Sequence, residues 1–119
     1  MFPGSIVLVE DRLTAMAAAE GGRPVTLLSP PLAAAWLGPL WWRALVDVAR
    51  TRASAPLADI LDCADAPGDA MAALRCGCRA LVLAPCPGFA RVTAAAGTLG
   101  AVVLAARPPA MTILDWRRR

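Results

Sequence analysis

Five short runs of apolar residues punctuate the chain, and they are continuous where a half-exposed strand would alternate. They fall at 5–10 (Ser5-Ile6-Val7-Leu8-Val9-Glu10), 24–29 (Pro24-Val25-Thr26-Leu27-Leu28-Ser29), 57–62 (Leu57-Ala58-Asp59-Ile60-Leu61-Asp62), 79–84 (Arg79-Ala80-Leu81-Val82-Leu83-Ala84) and 101–106 (Ala101-Val102-Val103-Leu104-Ala105-Ala106). Continuous runs of this length suit strands buried on both faces of a parallel sheet.

The spacers read as helices. Residues 12–20 are rich in alanine and stop at Gly21-Gly22, a good helix terminator. Asp65-Ala66-Pro67-Gly68-Asp69 opens another helix, with Asp65 able to cap and Pro67 tolerated in the first turn, and Gly77 ends it. Residues 89–99 form a further helix that Gly97 weakens. The longest spacer, 32–53, is split at Gly38-Pro39, because proline cannot continue a helix without a kink. After Pro39 two apolar rows recur at helical spacing. Leu40, Trp41, Ala44, Leu45 and Val48 read as the core stripe; Trp42, Val46, Ala49 and Ala53 form a second row that needs a cover of its own.

Strands alternating with helices predict an α/β domain over 1–119, a three-layer α/β/α sandwich on a five-stranded, mainly parallel sheet of flavodoxin-like or Rossmann-like type. Residues 111–119 read as a loose tail or a short edge strand. Periodicity leaves the strand order open. Both 2-1-3-4-5 and 3-2-1-4-5 are compatible with it.

Composition adds an expectation about partners. Apolar residues make up 58% of the chain and charged ones 18%, so some exposed surface must be apolar. Such surface usually marks a contact site. A homodimer is expected, with Trp42, Val46 and Ala49 as the interface, since tryptophan is favoured at such anchors. The role this implies is that of a non-catalytic module binding a partner protein or small ligand.

Charge narrows the classes further. The 12 basic residues, all arginine, exceed the 9 acidic ones by three, which is the number in the final run Arg117, Arg118 and Arg119. The rest of the chain is balanced, which argues against a nucleic-acid face. There is no histidine, lysine or tyrosine, which excludes histidine catalysis, Schiff-base chemistry and His-ligated metal within this chain. The uncharged stretch 24–42 is long enough to span a bilayer, but Pro24, Pro30, Pro31, Gly38 and Pro39 would break a spanning helix, so no membrane role is expected. No secretory signal is visible. A cytoplasmic chain with Cys63, Cys76, Cys78 and Cys86 as free thiols is expected.

Open α/β sheets bind ligands beyond the carboxyl ends of their strands. That edge holds Glu10, Asp11, Ser29, Asp62, Cys63, Cys86 and Arg107. In the order 2-1-3-4-5, Glu10, Asp11 and Asp62 converge and offer oxygen ligands to Mg²⁺ or another divalent ion, with Arg107 as an anion partner. Cys63 and Cys86 follow strands on the same edge and are the candidates for thiol chemistry if a helix N-terminus lowers their pKa. Ile6-Val7-Leu8-Val9-Glu10-Asp11, Asp62 and Arg107-Pro108 resemble the acidic strand end, phosphoacceptor and Lys-Pro pair of response-regulator receiver domains. Arginine replaces the family's lysine, Ala84 its Ser or Thr, and Arg12 a further acidic residue. The resemblance therefore implies a degenerate receiver that does not take up phosphate. There is no G-x-G-x-x-G after the first run and no lysine for a Walker loop. Cys76-Gly77-Cys78 is too tight for a C-x-x-C pair.

Overall fold

The computed structural model describes residues 2–119. Its elements are β1 (Ser5–Leu8), α1 (Arg12–Ala19), β2 (Val25–Leu28), α2 (Ala33–Trp36), α3 (Pro39–Arg52), β3 (Leu57–Asp62), α4 (Pro67–Arg75), β4 (Ala80–Val82), α5 (Phe89–Thr98), β5 (Val102–Leu104) and α6 (Ile113–Arg117). All five apolar runs form strands, all pair in parallel, and the α/β class of the flavodoxin-like and Rossmann-like proteins is established.

The strands lie in the order β1-β2-β3-β4-β5, so neither expected order is adopted. Each short helical crossover returns the chain beside the strand it has just left, the commonest outcome for consecutive elements. Apolar runs carry no record of this choice.

Register and burial divide the sheet into two faces. Val7, Leu27 and Asp59 are level with one another on one face, and Leu8, Leu28 and Ile60 on the other. The first face carries the large core. Val7, Val9, Leu27, Leu61, Leu81 and Leu83 pack there against Ala15 and Ala18 of α1, Trp42 and Val46 of α3, Ala73 of α4, and Val92 of α5. The second face carries a smaller cluster of Leu28, Ile60, Ala80 and Val82, joined by Phe2, Ile6 and Leu104.

Extended chain helps to close the second face. At one end the Thr26 hydroxyl donates to the carbonyl of Pro3. At the other, residues 105–110 run as a strap from β5 back to the far edge, where Met111 bridges Val7 beside β1. Crossing five inter-strand gaps requires about 24 Å, which seven residues can span.

The carboxyl-terminal residues are ordered where a loose tail or edge strand is expected. Met111 makes a single bridge, and α6 follows it, capped by the Thr112 hydroxyl. Trp116 is 3% exposed, and its Nε1 donates to the carbonyl of Ala18. Burial of that one indole anchors the end of the chain under α1. Among the described residues no helix is long and apolar enough to cross a membrane.

Candidate functional site

The carboxyl edge brings Ser29, Asp62 and Arg107 together and leaves Glu10, Asp11 and Cys86 out of their network. Asp62 ends β3 on the second face with its side chain 5% exposed. Its Oδ2 accepts from Arg107 Nη1 at 2.7 Å, and its Oδ1 accepts from the Ala64 amide at 2.7 Å. Arg107 Nη1 also donates to the Ser29 carbonyl. The Ser29 hydroxyl accepts from the Asp62 amide and donates to the Pro30 carbonyl. Ala64 has φ 52°, a left-handed conformation costly for a side chain with Cβ. Its amide is held by Asp62, and its carbonyl accepts from the Ala84 amide at 2.7 Å, which ties the ends of β3 and β4 together. The network is closed. Both carboxylate oxygens have a donor, and its chemical capacity is to pin the strap.

Glu10 and Asp11 do not reach it. β2 lies between β1 and β3, so two strand spacings, about 10 Å, separate those strand ends. Asp11 is the N-cap of α1: it accepts from the Thr14 amide at 2.8 Å, and the Thr14 hydroxyl answers its own amide. The Thr14 amide and hydroxyl hold the Asp11 carboxyl below the usual carboxylate range. Glu10 is exposed and donates its amide to the same hydroxyl. Among the described residues no three acidic or thiol groups gather closely enough to hold a metal ion. The arrangement of carboxylates around Mg²⁺ that order 2-1-3-4-5 would create does not form.

The Cys63 thiol is not activated. Cys63 is 1% exposed, and burial pushes its pKa up to about 12, with the negative fields of Cys78 and Asp62 adding to the rise. Cys86 is half-buried against the large core. All four cysteines are free. With no histidine in the chain, neither has an imidazole base.

The expected interface row lies inside the chain. Trp42, Val46 and Ala49 are each 0% exposed. A partner cannot touch them without unfolding. The phase of α3 is rotated from that expected: of the expected core stripe Leu45 is buried, Trp41 and Val48 are half-buried, and Leu40 and Ala44 face outward. Two rows of similar hydrophobicity compete for the sheet, and a polar contact distinguishes them. Trp42 Nε1 donates to Asp59 Oδ2 at 3.0 Å. Asp59 Oδ1 meets Arg50 at 3.1 Å and Arg43 at 3.7 Å. Arg43 also reaches Asp47, one turn further along α3. Sequence reasoning passed over Asp59. Its signal is an acid in mid-strand with arginines seven residues apart on the helix that covers it.

Sequence reasoning also missed a set of exposed large apolar side chains. Leu13, Leu32, Trp36, Leu37 and Leu40 are 75%, 45%, 78%, 50% and 73% exposed. Leu32, Trp36 and Leu37 fall within the ten residues that link β2 to α3, and Leu40 sits in the first turn of α3. The fifth follows Arg12, which shares a hollow of about 190 Å³ with Trp41, Ala44 and Val48.

No protein-family model, curated protein or solved structure matches this chain significantly.

Proposed function

We propose that this chain is a non-catalytic α/β binding module that acts as a homo-oligomer, two copies meeting through Leu13, Leu32, Trp36, Leu37 and Leu40. The observation that carries the reading is the joint exposure of these five side chains beside the carboxyl edge. They present on the order of 500 Å² of apolar surface, near the top of what soluble monomers expose. Completed by their neighbours, such a patch approaches the roughly 800 Å² per partner of a standard interface.

A second copy is the occupant that charge favours. Glu10, Asp11 and Arg12 flank Leu13 and offer both signs at one rim. A two-fold contact sets each patch against itself, so Arg12 of one copy can meet Glu10 or Asp11 of the other. Trp36 is the natural anchor, as a large and mostly exposed indole. Metal or thiol catalysis at the carboxyl edge has less support. The oxygens of Asp62 are occupied, and the Cys63 thiol stays protonated at neutral pH.

Sedimentation velocity across the micromolar range tests the proposal. The wild type should sediment as a dimer, and Trp36→Ser with Leu40→Ser should sediment as a folded monomer. A wild type that remains monomeric at the highest concentration overturns it.

A further inference from the structure

We infer that the hollow between the end of α1 and α6 is a binding site for a phosphate group carried by a small soluble molecule. The hollow is open to solvent, has a volume of about 470 Å³ and is lined by Glu20, Arg23, Trp116, Arg117 and Arg119 among others. That volume falls in the range of ordinary small-molecule pockets.

The charge inside it is one-sided. Among the described residues Arg23, Arg117 and Arg119 make no ion pair, whereas Glu20, the acid in the wall, is paired with Arg52 at 3.2 Å. The ends of α1 and α6 also face this region and add at most about half a negative charge each. The Trp116 carbonyl at one of those ends is already taken by Arg23 Nη2 at 2.8 Å. Three guanidiniums outweigh what remains.

One of the three is held in place before any ligand arrives. The Arg23 guanidinium carbon stands 3.8 Å from the centroid of the Trp116 ring. Trp116 is itself fixed by its bond to Ala18 and by Gly21, where a Cβ would come within 3.2 Å of the indole nitrogen. A stacked guanidinium loses little freedom on binding, and its planar fork matches the paired oxygens of a phosphate. Arg117 and Arg119 line the same hollow and supply two further guanidiniums.

Concavity and isolation favour a small ligand over a polymer. Outside the final arginine run the chain holds nine arginines against nine acidic residues, so no basic stripe leads away to follow a nucleic-acid backbone.

Calorimetric titration of the full chain with inorganic phosphate and pyrophosphate tests the assignment. Pyrophosphate should bind saturably with one site per chain. Arg117→Gln with Arg119→Gln, exposed positions whose replacement leaves the fold intact, should weaken it by about tenfold or more, as expected for lost charge-assisted hydrogen bonds. Arg23→Gln should do the same, with a melting curve to separate lost binding from lost packing. The assignment is overturned if pyrophosphate fails to saturate in the millimolar range, or if the Arg117 and Arg119 double variant binds as the wild type does. It is also overturned if a mixed-sequence oligonucleotide displaces pyrophosphate at far lower concentration, the mark of an extended basic surface.

Discussion

Arg107 reaches across 45 residues to bond Asp62 at 2.7 Å, joining the return strap to the end of the central strand. Asp62 is almost wholly buried, so removing its partner leaves a carboxylate with one donor and little water. Breaking a buried pair costs about 3–5 kcal/mol, reduced where one partner is partly exposed, as Arg107 is. Arg107→Ala should therefore lower unfolding stability in urea by about 2–4 kcal/mol, on the scale of broken buried pairs. Combined with Asp62→Ala, the two losses should be less than additive by about 1–2 kcal/mol, as for residues in direct contact. Millimolar Mg²⁺ should leave the wild-type melting temperature unchanged, because both oxygens of Asp62 are engaged. An Arg107→Ala protein as stable as the wild type would show that the strap does not depend on this bond.

Trp42 and Trp36 separate stability from self-association. Trp42→Phe keeps most of the buried ring but removes the donor to Asp59 Oδ2. A buried acceptor without its donor costs about 1–3 kcal/mol. The variant should unfold earlier by that amount and keep the oligomeric state of the wild type. Trp36→Ser should do the reverse, with little change in denaturant midpoint and a lower sedimentation coefficient. If Trp42→Phe dissociates the oligomer while still folded, the contact surface has been placed on the wrong side of α3.

The strands were legible because burial on both faces leaves a short unbroken apolar run in place of the alternation of a half-exposed strand. The strand order was not, since it depends on where each crossover lands. That one unknown decided whether Glu10 and Asp11 could meet Asp62. Asp62 and Arg107 stood out as polar residues at strand ends, but the reason they meet is the length of strap between β5 and Met111. The two rows of α3 were visible and their assignment was not, because Leu40 and Trp42 are similarly apolar. A buried acid on the neighbouring strand settled the phase. Asp59 was hidden by the apolar residues around it. The docked end of the chain was hidden by the arginines beside Trp116, which read as a solvated tail.

Gly4 is where the chain turns from Phe2 and Pro3 into β1, and a side chain there meets backbone. Its φ is +60°, and a Cβ would stand 1.8 Å from the carbonyl oxygen of Pro24. Gly77 offers a control, with φ +94° and nothing within 4 Å of its Cβ position. Gly77→Ala should cost only the conformational strain, about 1–2 kcal/mol. Gly4→Ala adds a clash that neither backbone can relieve, so it should cost about 3 kcal/mol or more and expose the second-face cluster, on the scale of severe backbone and overpacking defects. Equal midpoints for the two variants in urea would mean that the approach of residues 2–4 to β2 is looser than the structure has it.

Alkaline pH should reveal the buried thiols. Burial raises Cys63 and Cys78 from an ordinary value of 9.0 to about 12. The unfolded chain therefore releases these protons near pH 9 while the folded chain retains them. Stability is full below the unfolded value and falls as pH rises toward the folded one. The window is unusually clean, because the chain has no lysine or tyrosine to titrate across it. Unfolding free energy measured in urea should hold steady up to about pH 8 and decline from about pH 9 onward, following the titration of an exposed thiol. Cys63→Ala with Cys78→Ala, though less stable at neutral pH through lost packing, should decline less over the same range. In the native protein both thiols should react with a disulfide reagent only after urea is added, since they are 1% and 0% exposed. Rapid labelling of Cys63 at neutral pH would reverse this account, because it requires a thiolate that the core surrounding it does not support.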